Sequence, residues 1–278
     1  MFSRRKSLKL LLAATPVAAC AHAFLFEPKL LSITRREIII PSLPPEFDGF
    51  TIAQLSDFHF KPGTDNHLME EVVSSVNQKK VDLIALTGDY VTDDSEVIFP
   101  LLEYINRLQA KHGIYATLGN HDGWSNQRTF YKRLFEKSNI PFLINQNTEL
   151  SINGESIFIA GTDYVWDGQP DAKQTLKGIH KDATVLALVH EPDYFDTMRS
   201  LRKIDIQLSG HTHGGQCRVP FIGYAPVKVR YGENYVYDHF ERDGSQLFVS
   251  RGVGTSGLRV RFACPPELAI LTLRSAES

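Results

Sequence analysis

The sequence has few cysteines and no surplus of positive charge. Only three of its 278 residues are cysteines, which is too few for a disulfide scaffold. The formal net charge of −2 at pH 7 provides no basic field, so nucleic-acid binding is not expected. Internal repeats and low-complexity tracts are also absent from the sequence. Hydrophobic residues make up 42% of the chain and charged residues 22%, as in an ordinary globular protein.

The three cysteines are divided between the N-terminal segment and the rest of the chain. Cys20 lies in a segment that precedes the predicted fold, which leaves Cys217 and Cys264 within it. These two cysteines could form a disulfide in an oxidising compartment. They could equally be buried thiols, since free cysteine packs as a small hydrophobic residue. The sequence leaves both interpretations open.

Residues 1–26 have the pattern of a twin-arginine-like signal peptide or a membrane anchor. Residues 3–9 are basic and contain adjacent arginines at Arg4 and Arg5, and no formally charged residue occurs from Leu10 to Phe26. A basic segment followed by an apolar run is typical of a targeting signal. We therefore predict that the protein is exported to the periplasm or cell envelope, or is associated with a membrane.

Three fates of this segment are compatible with the sequence. Ala21-His22-Ala23 has the small–x–small form of a signal-peptidase site. Val17-Ala18-Ala19-Cys20 resembles a lipoprotein cleavage box, in which Cys20 would carry the lipid. A retained anchor is the third alternative, although seventeen apolar residues are close to the lower limit for a membrane-spanning helix.

The rest of the chain shows the alternation of strands and helices expected of an α/β fold. Residues 27–48 are predicted to form an N-terminal strand and linker, and residues 49–278 the main domain. Short apolar runs rich in β-branched residues predict strands at 51–55, 83–87, 114–118, 184–189 and 204–208. Apolar residues at helical spacing occur between several of these strands, as at Leu68, Val72, Val73 and Val76. Such alternation favours parallel strand pairing.

Two segments are expected to form hairpins instead. Residues 149–161 read as a hairpin that turns at Asn153-Gly154, and residues 236–250 as another that turns near Asp243-Gly244. Antiparallel hairpins within a parallel arrangement predict mixed sheets.

A polar cluster follows each of the five predicted strands. The clusters are Ser56-Asp57-Phe58-His59, Gly88-Asp89, Gly119-Asn120-His121-Asp122, His190-Glu191 and Gly210-His211-Thr212-His213. Ligands of open α/β sheets bind beyond the carboxyl ends of the strands, so these clusters are expected to converge. A single Gly-Asp is usually a turn, and Asn-His-Asp alone could be a helix cap. The joint pattern points to a functional site.

The residue types in these clusters suit a pair of divalent ions. Asp57 with His59, and His211 with His213, are two residues apart, which in extended backbone places both side chains on one side. Carboxylate oxygens and imidazole nitrogens bind Mn²⁺, Fe²⁺ or Zn²⁺. Two such ions with the carboxylates of Asp57 and Asp89 leave a net charge of about +2, which attracts a phosphate anion. A two-metal centre of this kind can generate hydroxide near neutral pH.

The ordered set of motifs resembles the calcineurin-like metallophosphoesterases. The resemblance covers about Ile52 to Gly215, and all five blocks are present. It implies a four-layer αββα sandwich of two mixed β-sheets and a metal-dependent phosphoric ester hydrolase. It also implies that a metal-bridging hydroxide attacks a phosphodiester or pyrophosphate.

The resemblance assigns a role to each residue of the motifs. One metal would be held by Asp57, His59, Asp89 and His213. The other would be held by Asp89, Asn120, His190 and His211, so that Asp89 bridges the pair. His121 would lie beside the metals and act on the phosphoryl group or the leaving oxygen, and Asp122 would orient the His121 ring.

Within that family the chain looks most similar to exported bacterial phosphodiesterases of the YkuE/YaeI type. That branch is similar to UDP-2,3-diacylglucosamine pyrophosphatases of lipid A synthesis, so a lipid-linked substrate is one expectation. Two alternatives are a phosphomonoesterase or nucleotidase that acts on small exported substrates, and a non-catalytic metal-binding interaction domain. The sequence gives no sign of oligomeric state.

Residues outside the motifs offer weaker indications. Arg251, Arg259 and Arg261 could bind phosphate, because arginine does so bidentately, or they could be structural. The loops at 124–129 and 164–169 are expected to influence the choice of substrate. Trp166 could cover a ligand there, or could be a half-buried surface aromatic.

Overall fold

The computed structural model describes residues 16–124, 127–223, 225–226 and 228–276. Residues 1–15, which form most of the predicted leader, lie outside the described residues. The strands are β1 (Ser32–Ile40), β2 (Thr51–Leu55), β3 (Leu83–Leu86), β4 (Ile114–Ala116), β5 (Gln146–Ile152), β6 (Glu155–Gly161), β7 (Val185–Leu188), β8 (Ile206–Ser209), β9 (Asp238–Arg242), β10 (Ser245–Val249) and β11 (Glu267–Ser275). The α-helices are α1 (Asn66–Lys79), α2 (Ile98–Ile105), α3 (Asn120–Gly123), α4 (Arg128–Lys137), α5 (Ala172–Thr175) and α6 (Phe195–Leu201).

The strands form two mixed sheets. The first sheet has the order β1-β11-β2-β3-β4, in which only the pairing of β11 with β2 is antiparallel. The second has the order β5-β6-β7-β8-β10-β9, with antiparallel hairpins at both edges and parallel pairs between them. The five predicted strands and both hairpins are confirmed, and the turns fall at Asn153-Gly154 and Asp243-Gly244.

The two sheets pack face to face between outer layers of helices. Ile52 and Leu83 of the first sheet share a buried core with Leu186 and Leu208 of the second. Helices α1, α2 and α4 cover the outer face of the first sheet, and α5 and α6 cover that of the second. The central strands are buried on both faces, which explains why they read as continuous apolar runs. The expected four-layer αββα sandwich is confirmed.

The end of the predicted leader contacts this domain. Residues 16–21 are helical, and the backbone carbonyl of Ala23 accepts a hydrogen bond from the N–H of Arg261 at 3.0 Å. Glu27 is buried, and its carboxylate accepts the backbone N–H of Cys264 at 2.6 Å. Cys264 and Cys217 are both free thiols. Within the described part of the chain, no helix combines the length and apolar character needed to cross a membrane.

Candidate metal centre

The carboxyl ends of five strands from both sheets converge on one polar cluster. Strands β2, β3 and β4 are followed by Asp57, Asp89 and Asn120, and β7 and β8 by His190 and His211. All seven predicted metal ligands are buried, with Asp57 completely inaccessible and the others at most 6% exposed. The structure therefore brings together every residue that the motifs predicted to bind metal.

The backbone at these ligands is not extended, contrary to the expectation. The φ angles are 52° at Asp57, 38° at His59, 72° at His211 and 51° at His213, all in the left-handed region. Side chains two residues apart still meet, but they do so through a tight turn at each strand end. Left-handed backbone at residues other than glycine costs free energy and is concentrated at functional sites.

A glycine makes room for the first of these turns. A Cβ atom at Gly210 would overlap the carboxylate of Asp57 and the hydroxyl of Ser56. The close approach allows the backbone N–H of His211 to donate to Asp57 Oδ1 at 2.8 Å. Gly210 thus joins the end of β8 in one sheet to the end of β2 in the other.

The side chains form two adjoining groups that share one carboxylate. Within each of the groups Asp57–His59–His213 and Asp89–His190–His211, the ligand atoms lie within 4.8 Å of one another. Asp89 Oδ2 lies 3.1 Å from His190 Nε2 and 3.4 Å from His59 Nε2, so it faces both groups. This is the position expected of a residue that bridges two ions.

The outer nitrogens of the histidine rings bind neighbouring oxygen atoms. His190 Nδ1 lies 2.6 Å from the carbonyl oxygen of Thr87, and His211 Nε2 lies 2.7 Å from that of Arg230. A carbonyl oxygen can only accept, so each of these nitrogens is assigned a proton. The opposite nitrogen of each ring points into the cluster, where the neutral form of the ring would offer its lone pair to a metal ion.

Several buried atoms of the cluster have no hydrogen-bond partner within the described structure. Asp57 Oδ2 is one of them, and His59 Nε2 and His190 Nε2 approach Asp89 Oδ2 at 3.4 and 3.1 Å without forming a well-directed hydrogen bond. Buried polar atoms are normally paired, and unpaired acceptors that face one another are costly. Divalent cations would satisfy these atoms together, so the residues present fit a metal centre.

Burial and mutual attraction set the protonation states in the cluster. Burial lowers the pKa of His211 to about 3, and it lowers the pKa of His213 well below its usual range. Both rings are therefore neutral, which is the form that binds metal. Burial would raise the pKa of Asp89, but attraction from His190 at short range, together with the effects of His59 and His121, outweighs burial and holds the pKa well below its usual range. Asp89 is therefore a carboxylate.

His121 lies at the edge of this cluster and is only partly buried. Its backbone N–H donates to Asp89 Oδ1 at 2.9 Å, and its ring Nδ1 lies 2.9 Å from the carbonyl oxygen of Thr92. The Thr92 contact assigns the ring proton to Nδ1 and leaves Nε2 free for a substrate. The ring also contacts that of His59, with 4.6 Å between centroids. The predicted position beside the ligands agrees with this geometry.

The expectation that Asp122 orients the His121 ring is wrong. Asp122 Oδ2 accepts the backbone N–H groups of Asp89 at 2.8 Å and Gly119 at 2.9 Å. Its other oxygen accepts the N–H of Tyr90 at 2.9 Å. The carboxylate is committed to the backbone of two ligand-bearing turns, and the carbonyl of Thr92 orients the ring instead.

The three arginines that could have bound phosphate have structural contacts. Arg261 is completely buried and donates to the carbonyl oxygens of Arg251, Gly252 and Cys264 at 2.8–3.1 Å, and to that of Gly254. The N–H of Gly254 in turn donates to the carbonyl of Asp57 at 2.7 Å. Arg251 pairs with Glu267, and Arg259 with Asp65. Arg261 therefore supports the loop behind Asp57.

A cavity of about 310 Å³ opens directly above the predicted ligands. Its walls include Trp124, Trp166 and Val229 in addition to residues of the cluster. The sequence singled out Trp166 but gave no distinct role to Trp124. It also gave no sign of Thr92 and Arg230, which contribute backbone carbonyls, because any residue type can supply a carbonyl oxygen.

Comparison with known proteins identifies the family. Residues 50–215 match the family described as calcineurin-like phosphoesterase. The chain belongs to this family. It is a metal-dependent phosphoric ester hydrolase, and its metallophosphoesterase fold agrees with the four layers described above.

Three relatives resemble it over nearly the whole length of both chains. An uncharacterized metallophosphoesterase, YkuE of Bacillus subtilis, is 33% identical over 98% of this chain and 98% of its own. Phosphodiesterase YaeI of Escherichia coli is 29% identical over 98% of this chain and 100% of its own. The UDP-2,3-diacylglucosamine pyrophosphatase LpxG of Chlamydia trachomatis is 27% identical over 95% of each chain.

Proposed function

We propose that this protein hydrolyses a phosphodiester or pyrophosphate bond with two divalent metal ions. Asp57, His59, Asp89 and His213 would hold one ion, and Asp89, Asn120, His190 and His211 the other. The observation that carries the proposal is the position of Asp89 Oδ2, which lies within 3.4 Å of a histidine nitrogen from each group. Manganese is the ion with which we would test it first, since ligands of mixed oxygen and nitrogen type suit that metal.

His121 and Asp122 have different roles beside the metal ions. When bound, the metal ions supply a hydroxide nucleophile and neutralise the oxygens of the phosphoryl group. His121 directs Nε2 toward the substrate because the Thr92 carbonyl fixes Nδ1. In its protonated form this ring stabilises phosphoryl charge and protonates the leaving oxygen. Asp122 positions the turns that carry Asp89 and Asn120, and so acts on the chemistry only through them.

The relatives guide the choice of substrate. One is named as a phosphodiesterase and another as a pyrophosphatase of UDP-2,3-diacylglucosamine. We propose a nucleotide-linked lipid of this type as a candidate substrate, with attachment to a membrane through residues 1–26. A lipid-linked substrate would explain such an attachment, and cell fractionation of the full chain against a variant lacking residues 1–26 tests it.

A comparison of three substrates tests the reaction. The full chain loaded with Mn²⁺ should hydrolyse bis-p-nitrophenyl phosphate faster than p-nitrophenyl phosphate, and should then be assayed on UDP-2,3-diacylglucosamine. Activity on the monoester alone would instead indicate a phosphomonoesterase or nucleotidase. A metal-loaded protein that hydrolyses none of the three would support a non-catalytic binding domain.

A further inference from the structure

The wall of the cavity next to the metal ligands is built from two tryptophans. Trp124 is 46% exposed, and its ring lies 4.2 Å from that of His121, measured between centroids. The Trp166 ring meets Trp124 edge to face, with centroids 5.8 Å apart and planes at 86°. Trp166 also lies 6.1 Å from the ring of His211. The pair therefore borders both the predicted catalytic histidine and a predicted metal ligand.

Contacts beneath the pair hold the backbone of both tryptophan-bearing segments in place. The carboxylate of the fully buried Glu191 accepts the backbone N–H of Trp166 at 2.9 Å. The hydroxyl of Tyr164 donates to the carbonyl of Gly123 at 3.2 Å, which ties the loop of Trp166 to the helix just before Trp124. A Cβ at Gly123 would collide with the Tyr164 ring, so this packing depends on a glycine. These contacts fix the backbone that carries the two tryptophans.

The exposed indole has no evident role in the fold. Burial of a large aromatic side chain is a principal source of stabilising free energy, and Trp124 leaves nearly half of its surface in water. Its neighbours in the cavity are polar ligands rather than a hydrophobic core. A rigid, half-exposed aromatic surface at such a position is suited to a ligand with a flat ring.

A cation lies next to Trp166, outside the residues that line the cavity, and it also lies over the ring of Tyr231 at 4.7 Å. The guanidinium carbon of Arg230 lies 5.9 Å from the centre of the Trp166 ring, and the backbone carbonyl of Arg230 holds His211. Arg230 is exposed and forms no ion pair among the described residues. A positive charge beside two aromatic rings favours a ligand that is both π-rich and anionic.

We propose that Trp124 and Trp166 form an aromatic subsite that binds a planar ring of the substrate, such as a nucleobase, while the phosphoryl group occupies the metal centre. This inference rests on the proposed function and narrows its substrate class to nucleotide-like phosphoesters. A base stacked on an aromatic side chain contributes ~1–3 kcal/mol, measured by substitution with alanine.

Binding of three monophosphates tests the subsite independently of turnover. Uridine 5′-monophosphate carries a planar base, ribose 5-phosphate lacks one, and octyl phosphate offers an aliphatic chain. Titration calorimetry on the full Mn²⁺-loaded chain should show that Trp124→Ala weakens the uridine nucleotide about tenfold. Ribose 5-phosphate should bind the variant as it binds the parent protein.

Further variants distinguish a subsite that requires an aromatic ring from a wall that is only apolar. Trp124→Phe and Trp166→Phe should keep most of the uridine nucleotide affinity, whereas Trp124→Leu should lose it as the alanine variant does. Phe99→Ala, at an exposed aromatic that does not line the cavity, serves as the matched control. Should Trp124→Ala fail to fold, the leucine and phenylalanine variants still give the comparison.

Two results would overturn the subsite. In the first, Trp124→Leu and Trp124→Ala each lose as much affinity for octyl phosphate as for the uridine nucleotide. The other is unchanged affinity for the uridine nucleotide in both variants. Hydrolysis of bis-p-nitrophenyl phosphate is measured in parallel, because its absence from the parent protein would contradict the proposed function rather than the subsite.

Discussion

The carboxylate of Asp122 accepts the backbone N–H of Asp89 through Oδ2 at 2.8 Å. The same oxygen accepts the N–H of Gly119, which directly precedes Asn120. One buried side chain thereby fixes the turns that carry two predicted metal ligands on neighbouring strands. A residue that the sequence marked as catalytic is therefore better described as a positioning residue.

Replacement of Asp122 should damage the fold and the metal centre together. Asp122→Ala would leave the buried N–H groups of Asp89, Tyr90 and Gly119 without acceptors, at a cost of about 3 kcal/mol in the free energy of unfolding. Asp122→Asn keeps an acceptor and should lose less. Denaturant unfolding and metal content after dialysis give the comparison. An Asp122→Ala protein with full stability and full metal content but a slow turnover would instead support direct catalysis.

Asp89 should be required for the binding of both metal ions, and Asp57 mainly for the binding of one. Asp89→Ala removes the carboxylate that lies within 3.4 Å of a histidine nitrogen from each group, and it leaves His190 without its closest carboxylate, so we expect metal content near zero. Asp57→Ala should retain part of the metal. Elemental analysis of each purified variant measures this. Asp182→Asn, an exposed aspartate outside the cluster, is the control and should match the parent.

His121 should be separable from the metal ligands by its effect on rate. Because its free Nε2 is assigned to the phosphoryl group, His121→Asn should keep its metal and lose ~10²–10⁴-fold in kcat on bis-p-nitrophenyl phosphate. His67→Asn, at an exposed histidine on α1, provides the matched control. Loss of metal on substitution of His121 would place this residue among the ligands, where it can form a third group with His59 and Asp89.

Much of the fold follows from local sequence pattern. The central strands are short apolar runs covered on both sides, and both hairpins carry a glycine at the turn, so each signal is contained within a few residues. Strand β11 was not predicted, although Leu268 to Leu271 form a continuous apolar run. It lies between β1 and β2, which are more than 200 positions away in the sequence. A local sequence pattern cannot predict pairing between segments that far apart.

The site was predictable in its residues but not in its local geometry. Side-chain chemistry at five strand ends, taken together, predicted seven metal ligands, and the structure places all seven in one buried cluster. The turns with positive φ at Asp57 and His211 could not be predicted from the sequence, because they depend on contacts between the two sheets. The role of Asp122 was missed for the same reason: its partners are backbone N–H groups, which every residue except proline carries.

Gly210 should be intolerant of even the smallest side chain. In Gly210→Ala the new Cβ would overlap the Asp57 carboxylate, so we expect the first group of ligands to separate and metal content to fall. Gly178→Ala is the control, because its φ of 82° makes a side chain unfavourable there although the position faces open space. The control should lose some stability but keep its metal. Equal metal loss in both variants would show that the loss does not depend on overlap with Asp57.

Glu191 should influence substrate binding through Trp166. Its Oε1 accepts the backbone N–H of Trp166, so Glu191→Ala would remove a contact that positions this loop and would weaken binding at the aromatic subsite. Glu191→Gln retains an acceptor of the same shape. We expect the alanine variant to raise KM for bis-p-nitrophenyl phosphate several-fold with a smaller change in kcat, since a loss of uniform binding changes KM alone. The glutamine variant should restore KM. A lower kcat with an unchanged KM in the alanine variant would contradict this prediction. Glu191 would then act on the metal centre through the adjacent His190, and its contact with Trp166 would have no effect on substrate binding.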